Sequence, residues 1–307
     1  VFGYGLAGLG RPLIAFVGSW GWLLAIRFAD RVGKGLRSSP RDALLAASVA
    51  AEHRGLAFGL HRAMDNAGNV IGPLLAAALL AMDLPLRDIF LWSLVPALIT
   101  LALALAVRER TPAPHAAAHP FRWTLAGQPQ AFKRYLAVAA LFTLGNSSNM
   151  FLLLRARELG VAEARVPLLW GAVALIASLF STPLAALSDR IGRRRLIVAG
   201  WAAYGAFYAG MAMTPGSLPL LLGLFAFYGL FMAATEGVEK ALVADLAPAG
   251  LAGTAFGWFN LVTGLMLLPA SLVFGELYEH LGAATAFGFS AACALTAALL
   301  LPWALRP

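Results

Sequence analysis

Seven charged residues fall within one otherwise apolar stretch of this sequence: Arg27, Asp30, Arg31, Lys34, Arg37, Arg41 and Asp42. At 100° per residue they occupy about 140° of arc on a helix. Such a stripe can bind an anion, exchange charge partners or carry a proton. It cannot face hydrocarbon, where each charge costs roughly 2.5–3.5 kcal/mol. A water-filled cavity and a lattice of ion pairs, with Asp30 and Asp42 neutralising their neighbours, both fit these residues. The residual positive charge points to an anionic or carboxylate-bearing group at some stage. Further along, His61, Arg62, Asp65, Asn66 and Asn69 share one helical face. Asn146, Ser147, Ser148 and Asn149 interrupt an apolar run, and Thr235, Glu236, Glu239 and Lys240 follow Tyr228 in another. Burial raises a carboxylate's pKa and a nearby cation lowers it. Asp65 and Glu236 are the first candidates for proton exchange, with Asp30 and Glu239 behind them.

The elements that hold these groups are long and apolar. Of 307 residues, 60% are hydrophobic and 12% charged, against about 45–50% and about 25% in soluble domains. The apolar residues come in blocks near the ~20 residues that a helix needs to cross hydrocarbon. Spans are expected at 1–18, 20–48, 55–82, 89–108, 135–157, 166–187, 196–213, 219–245, 253–275 and 284–304. All must be helices, because backbone groups in lipid need internal partners. The net charge of +8 does not indicate nucleic-acid binding, since the cations lie in short loops or singly within apolar blocks. Cys293 is the only cysteine, which excludes an intrachain disulfide or a cysteine-ligated metal. With no His-rich cluster and no nucleophile–base constellation, neither enzymatic activity nor a metal or cofactor is expected. The sequence opens at Val1 in mid-span, so the natural start is expected upstream.

Lys and Arg partition between the two sides. Arg54, Arg108, Arg110, Arg122, Lys133, Arg134, Arg190, Arg193, Arg194, Arg195 and Arg306 fall in one set of loops. The other set holds Arg87, Arg157 and Arg165, with Arg155 near a span end. The first set is expected in the cytoplasm. Residues 109–134 read as a cytoplasmic linker between bundles at 1–108 and 135–307. An internal repeat supports two like halves. Residues 41–59 align without gaps on 239–257, sharing Ala-Leu-x-Ala and then Gly-x-Ala-Phe-Gly. It sets Arg41-Asp42 opposite Glu239-Lys240, the charge order that a bridge between halves would need.

Three motifs carry a family resemblance. Ala185-Ala-Leu-Ser-Asp189-Arg190-Ile-Gly192-Arg193-Arg194 resembles G-x-x-x-D-R-x-G-R-R, the cytoplasmic loop signature of the major facilitator superfamily, with Ala185 in the first Gly place. Asp189 at a helix end can pair with arginines or with a neighbouring helix N-terminus, and Gly192 permits the tight turn. Gly59, Gly68, Gly72 and Pro73 resemble the antiporter motif of drug–proton exporters, although Ala76 and Ala77 replace two further glycines. Arg27-x-x-Asp30-x-x-Gly33-x-Gly35 resembles the fourth-helix motif R-x-x-Q-G-x-G, which would make Arg27 a residue of proton coupling. Residues 33–43 and 144–149 are similar to a bacterial permease subgroup in which an Asp is expected at the place of Asn149.

The resemblance implies an all-α membrane protein of the major facilitator fold: two pseudo-symmetric bundles, with about ten of an expected twelve helices and the first two absent. It implies a monomer in the cell inner membrane, binding a small-molecule substrate and protons, with no cofactor and no nucleic acid. Its cavity would be lined by Arg27, Asp30, Arg31, Lys34, Arg62, Asp65, Asn146, Asn149, Glu236, Glu239 and Lys240. Its cytoplasmic gate would use Asp189, Arg190, Gly192, Arg193 and Arg194. The expected function is alternating-access transport: proton-coupled export of a small organic compound or, as the alternative, uptake or exchange of an organic anion.

Overall fold

The computed structural model describes residues 2–107, 124, 125, 127–214 and 217–306. Most of the expected linker, with Arg110 and Arg122, lies outside them, as does Arg108. Among the described residues twelve α-helices follow one another: α1 Phe2–Leu13, α2 Trp20–Ser48, α3 Arg54–Ala81, α4 Leu86–Trp92, α5 Leu94–Ala106, α6 Gln130–Gly145, α7 Asn149–Glu158, α8 Val166–Ile191, α9 Arg193–Met213, α10 Leu218–Leu246, α11 Ala252–Leu281 and α12 Ala283–Ala304. No strand occurs among the described residues.

Eight spans among the described residues are long and apolar enough to cross a membrane: Ala51–Ala81, Leu86–Ala106, Gln130–Glu158 and the five helices α8 to α12. The first two expected spans fall short for different reasons. α1 has 12 residues. α2 has 29 residues but carries the charged stripe, and its stability in a bilayer depends on what those charges face.

Two local features depart from uninterrupted spans. α4 and α5 part at Ser93, whose hydroxyl donates to the Phe90 carbonyl at 2.6 Å. Pro96 has no N–H to return to the Trp92 carbonyl, so the helical ladder is weakened there. α6 ends at Gly145 and α7 begins at Asn149, so the expected 135–157 span is broken in its middle. Ser148 takes extended backbone angles and its side chain accepts from the Met150 N–H at 3.3 Å. Ser and Asn offer the backbone such local partners, which compete with the helix. By contrast, α2 runs unbroken through Gly33, Gly35 and Pro40. Gly33 serves a close crossing instead: a Cβ there would lie 2.9 Å from the Ala7 nitrogen and 3.0 Å from the Gly3 carbonyl.

The chain forms two compact units, Val1–Leu44 with Ile71–Pro120, and Leu45–Val70 with Phe121–Pro307. In the first, α1 packs on α4 and α5 and crosses α2 at Gly3 and Gly33. In the second, α12 runs along α9, α6 and α11, while α10 packs on α8, α9 and α11. Its core is aromatic. Trp201, Tyr204, Phe207 and Tyr208 of α9 are fully buried, and Phe142 stacks on Trp201 with ring centroids 4.5 Å apart.

The start of α3 joins the second unit because glycines let backbones meet. A Cβ at Gly59 would stand 2.5 Å from the Ala185 Cβ and 2.7 Å from the Ser181 carbonyl on α8. A Cβ at Gly237 on α10 would stand 3.0 Å from the Gly59 nitrogen. The repeat also extends beyond its sequence match. After the shift that sets 41–59 on 239–257, α2 coincides with α10 at both ends, and α3 and α11 start together.

Candidate functional site

Two charged centres occupy the second unit, and the start of α3 contributes to both. The first surrounds the turn between α8 and α9. Gly192 makes this turn with φ 95°, a conformation open to glycine. Asp189, at the end of α8, accepts the backbone N–H groups of Gly55 and Leu56, each at 2.9 Å. These belong to the first turn of α3, where donors lack partners within the helix and the dipole favours an anion. Asp189 also pairs with Arg193. Arg193 in turn pairs with Asp245 at 3.1 Å and donates to the Ala51 carbonyl at 3.0 Å. Asp245 takes Arg54 at 2.8 Å, and Arg54 also donates to the Ala244 carbonyl at 3.2 Å. The result is an alternating chain of charges, Asp189–Arg193–Asp245–Arg54, that ties α3 to the ends of α8 and α10. Arg190 and Arg194 are exposed and have no ion pair among the described residues, so of the three signature arginines only Arg193 enters the network.

The second centre lies further along α3 and α10. Arg62 stands 3.6 Å from Glu236 and 3.6 Å from Asp65. His61 is 3.6 Å from Asp65. Glu239, one turn from Glu236 on the same face of α10, accepts the Trp201 indole N–H at 2.7 Å. That is its one hydrogen bond among the described residues, and no cation pairs with it. The three carboxylates are therefore compensated differently. The Asp65 side chain is 45% exposed beside Arg62 and His61. Glu236 has Arg62, whereas Glu239 has a neutral donor. Lys240 is buried.

The break between α6 and α7 supplies a third polar group. Tyr204 donates its hydroxyl towards the Gly145 carbonyl at 3.1 Å and the Asn146 Oδ1 at 3.2 Å. Tyr228 donates to Asn149 at 2.9 Å. Asn146 and Asn149 are thus held by aromatic hydroxyls from α9 and α10.

In the first unit, Asp30 and Arg37 line a cleft of about 220 Å³ together with Tyr4, Arg11 and Thr100. The Arg37 guanidinium lies 4.9 Å over the Tyr4 ring. Arg27, Arg31 and Lys34 occupy exposed positions. Arg41 pairs with its neighbour Asp42 at 3.0 Å. In the antiporter-like motif, Gly59 sits at the close crossing. A Cβ at Gly68 or Gly72 would meet nothing within 4 Å, and α3 runs unbroken through Pro73.

Four contributors were not singled out for these roles by sequence reasoning: Arg54, Trp201, Tyr204 and Asp245. Arg54 reads as one more loop cation, and a Trp or Tyr in an apolar helix reads as packing. Asp245 lies just inside the end of α10, and only the folded chain brings it to Arg54 and Arg193.

Comparison with known proteins places this architecture. A family model described as Major Facilitator Superfamily matches residues 1–154 and 135–307. An uncharacterized MFS-type transporter of Methanocaldococcus jannaschii is 33% identical over 308 residues, covering 98% of this chain and 76% of its own length. The solved proton:xylose symporter XylE, bound to a bromo-deoxy-glucose, superposes with a TM-score of 0.78 at 17% identity, over 99% of this chain and 78% of its own. The human organic anion transporter MFSD10 does so with a TM-score of 0.74 at 18% identity, over 97% and 75%. At such identities these two likenesses are of fold.

Proposed function

This chain belongs to the major facilitator superfamily, and on that premise we propose that it is a proton-coupled secondary transporter, exporting a small organic compound by alternating access. The observation that carries the coupling is the unequal compensation of the α10 carboxylates. Arg62 on α3 neutralises Glu236, whereas Glu239 has an indole N–H and, among the described residues, no ion pair. Glu239 is half-buried, and a charge withdrawn from water without an ionic partner is costly, so a proton that binds and leaves it changes the balance of the α3–α10 contact. Glu239 thereby takes precedence over Asp65, which stands in a more exposed position between two basic groups.

The Asp189–Arg193–Asp245–Arg54 chain acts as the cytoplasmic gate. It holds the start of α3 against α8 and α10, and it must open for the substrate to pass on that side. Coupling follows if protonation of Glu239 loosens α3 from α10, because the same helix carries both contacts.

Organic-anion uptake or exchange remains the second reading, favoured by the basic stripe of α2. The two readings separate in proteoliposomes carrying the full-length transporter and a pH-sensitive dye. Lipophilic drugs that release protons from an acidified lumen support export. Proton movement evoked only by organic anions supports the second reading and makes Arg27, Arg31 and Lys34 the first residues to replace. Proton movement with neither class removes proton coupling.

A further inference from the structure

A separate charged surface lies at one end of the second unit, where α6 and α9 begin and α12 finishes. The register follows from close contacts. A Cβ at Gly145 of α6 would lie 2.7 Å from the Cys293 Cβ, and one at Gly205 of α9 would lie 2.6 Å from the Leu295 Cγ. Following each antiparallel pair about ten residues further brings the first turns of α6 and α9 to the end of α12. Lys133 and Arg134 stand on the first of these turns, Arg194 and Arg195 on the second, and Arg306 beyond α12. No acidic residue occurs in 124–145, 193–199 or 299–306. None of the five cations has an ion pair among the described residues. One of them is fixed in place: the Arg134 guanidinium lies 5.5 Å over the ring of Trp303 and donates to the Arg306 backbone carbonyl at 3.3 Å. Trp303 is itself 52% exposed, as expected of a ring at the boundary between hydrocarbon and headgroups.

We propose that this corner of α6, α9 and α12 binds the phosphodiester headgroup of an anionic phospholipid. Unpaired cations gathered on a helix bundle at membrane depth attract anionic headgroups. Trp303 supplies an apolar shelf for the glycerol and upper acyl segments, and it holds the Arg134 guanidinium flat beside them. Neither the proton-coupling site nor the gate takes part, so the inference stands apart from the transport reading.

Native mass spectrometry of the purified full chain provides the test, with phosphatidylglycerol titrated against phosphatidylcholine of the same acyl chains. Phosphatidylglycerol is expected to be retained preferentially. The combined substitution Lys133→Gln, Arg134→Gln, Arg194→Gln and Arg195→Gln should abolish that preference, at roughly fivefold per charge removed. Trp303→Leu keeps every charge and should weaken the preference in part. Arg87→Gln with Arg157→Gln, at the start of α4 and the end of α7, should leave it intact. Three results would overturn the proposal: no headgroup preference in the unaltered chain, an equal loss in the Arg87/Arg157 control, or displacement of the lipid by glycerol 3-phosphate at matched concentration, which would make this a site for soluble phosphates.

Discussion

Asp189 holds two backbone donors and one guanidinium at once, and this explains why an aspartate stands at the end of α8. Substitution Asp189→Ala leaves the Gly55 and Leu56 N–H groups and Arg193 without that partner. Losing a half-buried charged partner of this kind costs about 3 kcal/mol. The gate is then expected to open more often and transport to slow. Labelling of a cysteine placed at Ser181, buried where α3 crosses α8, with the native Cys293 also buried, should accelerate severalfold in Asp189→Ala. An unchanged labelling rate and wild-type turnover would remove Asp189 from the gate. Glu236→Gln should impair gradient-driven flux by releasing Arg62, while Asp65→Asn should have the smaller effect of the two. The opposite order would return Asp65 to the centre of coupling. Asp189, Gly192 and Arg193 were legible because the motif's chemistry needs an acid, a left-handed turn and a cation at fixed spacing. Asp245 was not, because an acid near a helix end has no partner until the chain folds.

Among the elements, α3 does the most varied work. Its first turn meets Asp189, its next turns cross α8 and α10 at Gly59 and Gly237, and Arg62 follows beyond the crossing. Gly59→Ala forces a Cβ into the Ala185 side chain and the Ser181 carbonyl, an overpacking worth about 1–3 kcal/mol. Gly68→Ala and Gly72→Ala meet open space and should leave stability in detergent nearly unchanged, as thermal unfolding of each variant would show. Equal destabilisation by all three would mean that the motif packs as one surface. The lengths and positions of most helices were legible, since bilayer thickness and apolar blocks dictate them. The break between α6 and α7 was not. Asn and Ser signalled polarity at 146–149, but whether such residues bend a helix or merely line it depends on partners from elsewhere, here Tyr204 and Tyr228. α2 is continuous through Gly33 and Pro40, and Gly33 admits α1 at a close crossing.

In the whole molecule, the repeat makes helix bounds recur at a constant interval, while the chemistry on the two copies differs. Where α2 carries a basic stripe, α10 carries Glu236 and Glu239, so a duplicated scaffold bears unlike functional groups. The most direct test of proton coupling through α10 compares two fluxes of one transported compound in proteoliposomes: accumulation driven by an imposed proton gradient, and exchange across a membrane without one. Glu239→Gln preserves an acceptor for the Trp201 indole but cannot exchange a proton. The variant is expected to keep exchange within about twofold and to lose accumulation by tenfold or more. Accumulation at the wild-type level in Glu239→Gln, or wild-type accumulation that ignores the proton gradient, would contradict the assignment.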